Sequence, residues 1–300
     1  MRDRHVPVQR MFALRQYPGF ANADLSELAA LADNVVETTY VPGALVARAG
    51  RVPPFNLVLE GRIALDGRVG TSEVAWGPRD LAGAIEAMGG RALETPMIAT
   101  METRTLQLGA ADFADILEDN FGLLSNVQRE LARYLLAFQR RRRNRPDRDA
   151  PVVVVGSASP GLVERLVALR RQMPLGNARI QALAALARAT TERTVAAGEI
   201  VARAGESAKS LFLVLDGAVR DGKRVLGPDG AIGSLEVLAA TPHVETAEAI
   251  TPARLLEVPA IALFDVIEDH TDLGLAMVAS LASAIFDELH RRTETDDPVN

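Results

Sequence analysis

Val46-Ala47-Arg48-Ala49-Gly50 recurs as Val201-Ala202-Arg203-Ala204-Gly205, 155 residues later in a chain of 300. A repeat at a fixed offset decides the architecture before any single element does. The landmarks around the two copies return in the same order. Leu57-Val58-Leu59-Glu60-Gly61 answers to Leu213-Val214-Leu215-Asp216-Gly217, Gly77-Pro78 to Gly227-Pro228, and Ile116-Leu117-Glu118-Asp119 to Val266-Ile267-Glu268-Asp269. Chance similarity does not keep its order over such a length, so the chain is one domain, duplicated.

Each copy reads helix, strands, helix. Asp24 to Ala32 carries Leu25, Leu28 and Leu31 at helical spacing, with Asn22 or Asp24 as the cap; its counterpart is Ile180 to Arg188. From Val35 to about Leu108, short β-type runs are broken by Gly and Pro, the rhythm of a sandwich or barrel. Gly43 and Gly198, Gly50 and Gly205, and Gly61 and Gly217 fall at matching places, where glycine permits positive φ. A short helix over Ala111 to Asp119 and a long one over Phe121 to Arg143 follow.

The long helix places Leu124, Val127, Leu131, Tyr134 and Phe138 at 3-4-3-4 spacing, and the second copy does the same with Leu275, Val278, Ala282, Ile285 and Leu289. That is a coiled-coil seam two heptads long, or else a stripe packed on the parent barrel. Between the copies, Arg140-Arg141-Arg142-Arg143 stands at a helix C-terminus, where cations are favoured; it is either a solvated helix end or a contact for an acidic partner. Val152 to Val155 reads as a short strand. Gly156 and Gly161 lack the Lys-Ser/Thr of a phosphate loop, because Leu162-Val163 follow.

Composition narrows the function. Aromatics are 4% of residues, so aliphatic side chains and alanine must build the cores, and the net charge of −6 argues against a nucleic-acid-binding surface. Without cysteine there is no disulfide, thiol catalysis or thiolate metal site, and a reducing cytoplasm is permitted. The uncharged run Pro151 to Val163 is too short and too rich in Gly, Ser and Pro to span a bilayer, and Met1 to Arg15 lacks a signal-peptide core and reads as a flexible arm. His5, His243, His270 and His290 are scattered, no Gly-x-Ser-x-Gly elbow is present, and the acidic pairs Glu118-Asp119 and Glu268-Asp269 read as solvated turns, so no enzyme is expected.

The order helix, β-roll with glycines at the turns, short helix, long helix resembles the cyclic-nucleotide-binding domain of catabolite activator-type regulators and kinase regulatory subunits. The residues carrying the likeness are Val41-Pro42-Gly43, Val46, Gly50 and Leu57 to Gly61, with their second-copy partners. The resemblance implies a cassette in which a Gly-Glu pair opens a short helix. Its glutamate holds a ribose hydroxyl, backbone N–H groups meet a cyclic phosphate, and an arginine farther on pairs with that phosphate. The first cassette is Gly83, Ala84, Ile85 and Glu86, with Ala84 at the glutamate position and Leu93 at the arginine position. The second is Gly233, Ser234, Leu235 and Glu236, then Thr241, His243 and Val244, with Ser234 and His243 at those two positions. Losing the arginine forfeits a charge-assisted interaction worth about 1.5–3 kcal/mol. A protonated His243 would restore part of it, and Glu86 or Glu236 turned inward would oppose it. Arg91 either swings into the first cassette or stays on the surface.

The expectation is therefore an α+β, mainly β chain of two tandem jelly-roll-type β-rolls, each flanked by helices and ending in a long one. Residues 1–13 form an arm, 14–143 the first domain, 144–165 a linker, 166–292 the second domain and 293–300 a tail too short for a DNA-reading helix-turn-helix. The expected function is a cytoplasmic regulatory or adaptor protein working through a protein partner, with no metal or cofactor, no direct DNA binding and no membrane. The alternative is a sensor of a small ligand or cyclic nucleotide in a non-standard pocket. The long helices are expected to close an intramolecular pseudo-dimer, or else to join two chains as a homodimer.

Overall fold

Glycine sets the same corners in both copies. In the computed structural model Gly43, Gly50 and Gly61 have φ of 82°, 74° and 88°, and Gly198, Gly205 and Gly217 each 83°. At Gly61 an added Cβ would strike the carbonyl oxygen of Glu102, and at Gly217 that of Pro252, so neither place admits a side chain. The structure describes residues 5–66, 74–142, 161–172, 175–176 and 178–295.

The chain forms two compact units, Met1–Glu130 with Val278–Asn300 and Leu131–Met277. Both long helices, Phe121–Arg142 and Thr271–Thr295, are thereby divided by residue between the units. In unit 1, one antiparallel sheet runs in the order Val36–Tyr40, Thr103–Leu108, Phe55–Glu60, Leu81–Ala82, and another in the order Leu45–Ala47, Met97–Ala99, Ile63–Leu65, Ala75–Trp76. Unit 2 repeats both orders, with Thr191–Val195, Ala253–Pro259, Ser210–Asp216, Ala231–Ile232 and with Ile200–Ala202, Ala247–Ala249, Val219–Asp221, Arg224–Leu226. Even the irregularities repeat: the ladder skips a residue between Val58 and Glu60, and again between Val214 and Asp216. Each roll closes on an apolar core, Val46, Val58, Ile63 and Met97 in unit 1 and Val201, Phe212, Val214 and Leu255 in unit 2.

The fold is α+β with two tandem rolls, as the repeat predicts. Helix accounts for about 44% of it and strand for about 26%. Two helices were not legible. Residues 5–15, expected as a flexible arm, form the helix His5–Arg15, and the expected linker gives way to a helix at Leu162–Arg170. In the first, Phe12 is 65% exposed while Leu14 is buried; no apolar stripe announces it, and Leu14 with Phe20 anchors it instead. Asp24 does cap the helix Leu25–Asn34, its carboxylate accepting the Glu27 N–H while Glu27 accepts the Asp24 N–H, both at 2.8 Å. The helix Thr271–His290 is long and apolar enough to cross a membrane, a property passed over in the sequence; in this fold its Leu273, Met277, Leu281 and Ile285 are buried. The strand expected at Val152 to Val155, Gly156 and the side chains of Arg140 to Arg143 lie outside the described residues.

Candidate ligand cassettes

In unit 1 the strand Leu81–Ala82 reaches Gly83, whose φ of 77° turns the chain into the short helix Ala84–Gly89. In unit 2 the strand Ala231–Ile232 reaches Gly233, φ 73°, and the helix Ser234–Ala239. An added Cβ would lie 2.9 Å from the Pro54 carbonyl oxygen at Gly83 and 2.7 Å from His243 Cε1 at Gly233. The glycines thus let the cassette approach the neighbouring chain closely as well as supplying its left-handed turn.

Positions 93 and 243 are structurally equivalent, and hydrogen bonds establish it. Leu93 donates to the carbonyl of Arg51 at 3.0 Å and accepts from the Gly50 N–H at 2.8 Å. His243 donates to the carbonyl of Glu206 and accepts from the Gly205 N–H, each at 2.9 Å. The side chains part company there. Leu93 is 4% exposed and packs with Val46, Ile63 and Met97 in the core of its roll. His243 is 8% exposed and lies against Gly233. Nearby, Thr241 Oγ1 is buried with no hydrogen-bond partner among the described residues. Ala84 is buried, Ile85 and Glu86 half-buried, Ser234, Leu235 and Val244 half-buried, and Glu236 buried.

Arg91 does not turn into the cassette. It pairs with Asp287 at 3.2 Å on the surface and stands 5.6 Å over the Phe286 ring, which stacks on His290 at 3.8 Å. Burial pushes the Glu86 carboxyl above its usual range, with its own backbone N–H and the charge of His290 working the other way. The C-terminal end of each cassette helix meets a long helix. Ser283 Oγ donates to the Gly89 carbonyl at 3.5 Å within unit 1, and Arg133 Nε donates to the Ala239 carbonyl at 3.3 Å within unit 2. Residues 133 and 283 are themselves repeat counterparts, as are 89 and 239. Sequence reading did not find Ser283, Phe286, Asp287 or Arg133, because partners up to 196 residues apart leave no local pattern.

The 3-4-3-4 series holds only in part. Leu124, Val127, Leu131, Val278, Ala282 and Ile285 are buried and Phe138 and Leu275 half-buried, but Tyr134 is 56% and Leu289 41% exposed. A helix of 3.6 residues per turn drifts off a 3.5-residue stripe. The buried face near those two is continued by Leu135, Leu136 and Glu288 instead.

Residues 192–270 match the family model of the cyclic nucleotide-binding domain. That match lies within unit 2. Unit 1 repeats the strand order of unit 2, its positive-φ glycines and its cassette hydrogen bonds, so the fold that the match covers is present in tandem. Among solved structures, the chain is similar to the regulatory domain of Toxoplasma gondii PKA with cAMP, at 13% identity and TM-score 0.35 over 97% of this chain and 99% of that one. It is similar to the regulatory subunit of a cAMP-independent protein kinase A from Trypanosoma brucei, at 15% identity and TM-score 0.35 over 98% and 91%. The N-terminal domain of a transcriptional regulator from Streptomyces coelicolor A3(2) matches at 22% identity and TM-score 0.36, over 44% of this chain and 99% of that one. No curated protein matches the sequence. The cyclic nucleotide-binding assignment rests on the match at residues 192–270 and on the internal repeat.

Proposed function

We propose that this chain is a non-enzymatic regulatory or adaptor protein whose two cyclic-nucleotide-binding-like domains act through contact with a protein partner in the cytoplasm, without a cofactor, DNA binding or membrane insertion. The observation that carries this reading is Leu93. It occupies the arginine position, holds that position's backbone hydrogen bonds, and fills with hydrocarbon the place where a cyclic phosphate would need a cation. A phosphate anion there would be desolvated without a partner. In calorimetry at neutral pH, cyclic AMP is expected to bind weakly or not at all, and a pull-down from the native cell to recover a stoichiometric protein partner. A cyclic AMP site of micromolar or tighter affinity would overturn the reading.

One observation favours a second function, sensing by unit 2 alone. His243 is polar and buried beside the left-handed Gly233, and Thr241 Oγ1 nearby has no partner. A thermal-shift screen of cyclic mono- and dinucleotides, repeated on His243→Leu, separates the two: a shift abolished by that substitution assigns sensing to unit 2.

For assembly, the proposal is an intramolecular pseudo-dimer that uses the long helices within one chain. Charges placed together at the buried Leu131 and Leu281 test it. Loss of stability from a wild-type monomer supports an internal role. A wild-type dimer converted to a folded monomer overturns it.

A further inference from the structure

The repeat extends into the two helices that sequence reading missed, at an offset of 155 residues. Leu14 matches Leu169, Phe20 matches Leu175 and Ala23 matches Ala178, all six buried, and the Ala23 N–H bond to Phe20 is copied by Ala178 to Leu175. Both helices accompany the sheet face that points away from the roll core. In unit 2 that junction is closed. Arg171 pairs with the Asp229 carboxylate at 3.0 Å, Gln172 Nε2 donates to the Asp229 carbonyl at 3.0 Å, and Arg165 donates to the Thr190 carbonyl at 2.8 Å.

Unit 1 has lost the acid–base closure by substitution. Gln16 stands where Arg171 does and Arg79 where Asp229 does, while Val35, where Thr190 stands in unit 2, keeps the main-chain carbonyl. The acid–base pair across the junction therefore cannot form. Arg10, the counterpart of Arg165, keeps one long bond of 3.4 Å to the Ala32 carbonyl, and its Nε is buried without a partner among the described residues. Arg79 has no side-chain hydrogen bond or ion pair among the described residues. At this junction lies a cavity of about 480 Å³, lined by Arg10, Gln16, Glu37, Arg79 and Arg104 over a floor that includes Leu57 and Leu106. Arg104 is already engaged by Glu37 at 3.1 Å and Glu60 at 2.6 Å. Arg10 and Arg79 are the cations with donors to spare.

We propose that this cavity binds an organic phosphate, its phosphoryl group between Arg10 and Arg79 and its carbon skeleton over Leu57 and Leu106. Two planar guanidinium forks offer more donors than the two oxygens of one carboxylate can take, whereas a phosphate monoester presents three oxygens and nearly two charges. The volume lies in the range of small-molecule sites and exceeds what an inorganic anion fills. The site is on the outer face of the sheet and does not use either cassette.

The test is calorimetry of the full chain at low salt with adenosine 5′-monophosphate, glucose 6-phosphate, glycerol 3-phosphate, inorganic phosphate and citrate. At least one organic phosphate is expected to bind tenfold or more tightly than inorganic phosphate and citrate. Arg79→Asp is expected to abolish that binding while folding normally, since Asp229 occupies the same left-handed turn at φ 69°, against 74° for Arg79. Arg79→Gln, tested beside it, should weaken binding tenfold or more, and His243→Ala should leave it unchanged. Citrate binding best would reassign the cavity to carboxylates and overturn the phosphate proposal. No organic phosphate exceeding inorganic phosphate, binding that survives both Arg79 variants, or binding lost in His243→Ala would each overturn it as well.

Discussion

In unit 1 the residue at 93 is a leucine packed with Val46, Ile63 and Met97; in unit 2 its counterpart is His243, resting against Gly233. The backbones around them make the same two hydrogen bonds, so what has changed is only what each roll keeps at its centre. A duplicated frame tolerates this because the ladder and the positive-φ glycines fix the chain path, while the side chain at one inward position decides whether the interior is hydrocarbon or polar. The outer faces show the same division: one junction is closed by an Arg171–Asp229 pair, and its copy holds Gln16 and Arg79.

The sharpest way to break the comparison is to exchange chemistry at the paired positions. Leu93→Arg puts an unpaired charge into a hydrocarbon core and is expected to cost about 4 kcal/mol or more. His243→Arg is expected to cost about 1–2 kcal/mol of overpacking. Urea denaturation, following the transition of the affected unit, checks both; equal losses would mean that the two interiors do not differ as described.

Next in size, the shared frame should respond equally. Gly61→Ala and Gly217→Ala each force a side chain into positive φ and against a backbone carbonyl, with an expected loss of about 1–3 kcal/mol from backbone strain alone. Thermal melts should show matching losses in the two variants.

A smaller effect sharpens a difference between the units. The helix Ile180–Ala189 has Arg179 at its start and no side-chain cap, where its counterpart has the Asp24–Glu27 box. Arg179→Ser should stabilise unit 2 by about 1 kcal/mol through a new cap. Against this, the exposed Arg179–Asp272 pair at 3.1 Å is lost, worth about 0.5 kcal/mol. The net gain is readable as a raised urea midpoint.

The smallest expected effect is one of pH. Glu86 has its folded pKa raised by burial, so the proton favours the folded state. Its contribution is fully present below the unfolded carboxylate pKa and is lost as pH rises through the folded value. Glu86→Gln should flatten that slope and leave the protein slightly more stable at neutral pH. Melting temperature against pH, from 4 to about 8, tests it; a slope that survives the substitution assigns the effect elsewhere.

Most of the frame was legible in sequence because it is written locally and twice. The glycine corners and the Asp24 cap each follow from neighbouring residues, whereas the cassette helices were expected from the family resemblance. The helix His5–Arg15 was not, because Phe12 and Val8 are exposed and no single face is apolar. Tyr134 and Leu289, placed by their spacing in a seam or in a stripe on the parent barrel, are exposed, since a straight helix drifts off that spacing. In the cassettes, counting residues paired Leu93 with His243, and the two make matching backbone hydrogen bonds. Nothing local could place Asp287 beside Arg91, and the meaning of Gln16 and Arg79 emerges only when each is set against its copy.

Unit 1 is made of residues from both ends of the chain, with Val278–Asn300 joined to Met1–Glu130. This has a consequence for biosynthesis. When residue 130 leaves the ribosome the first roll has all its strands, but the segment bearing Ser283 and Asp287 does not yet exist. At roughly 5–20 residues per second, the intervening chain of about 150 residues takes on the order of 10–30 s to make. For that interval the nascent roll carries its cassette helix with the Gly89 carbonyl and the Arg91 guanidinium still open to other partners, and only translation of the last helix closes it. A stop codon near residue 277 would leave that state permanent, so truncation at the far end of the message should be felt first at the beginning of the protein.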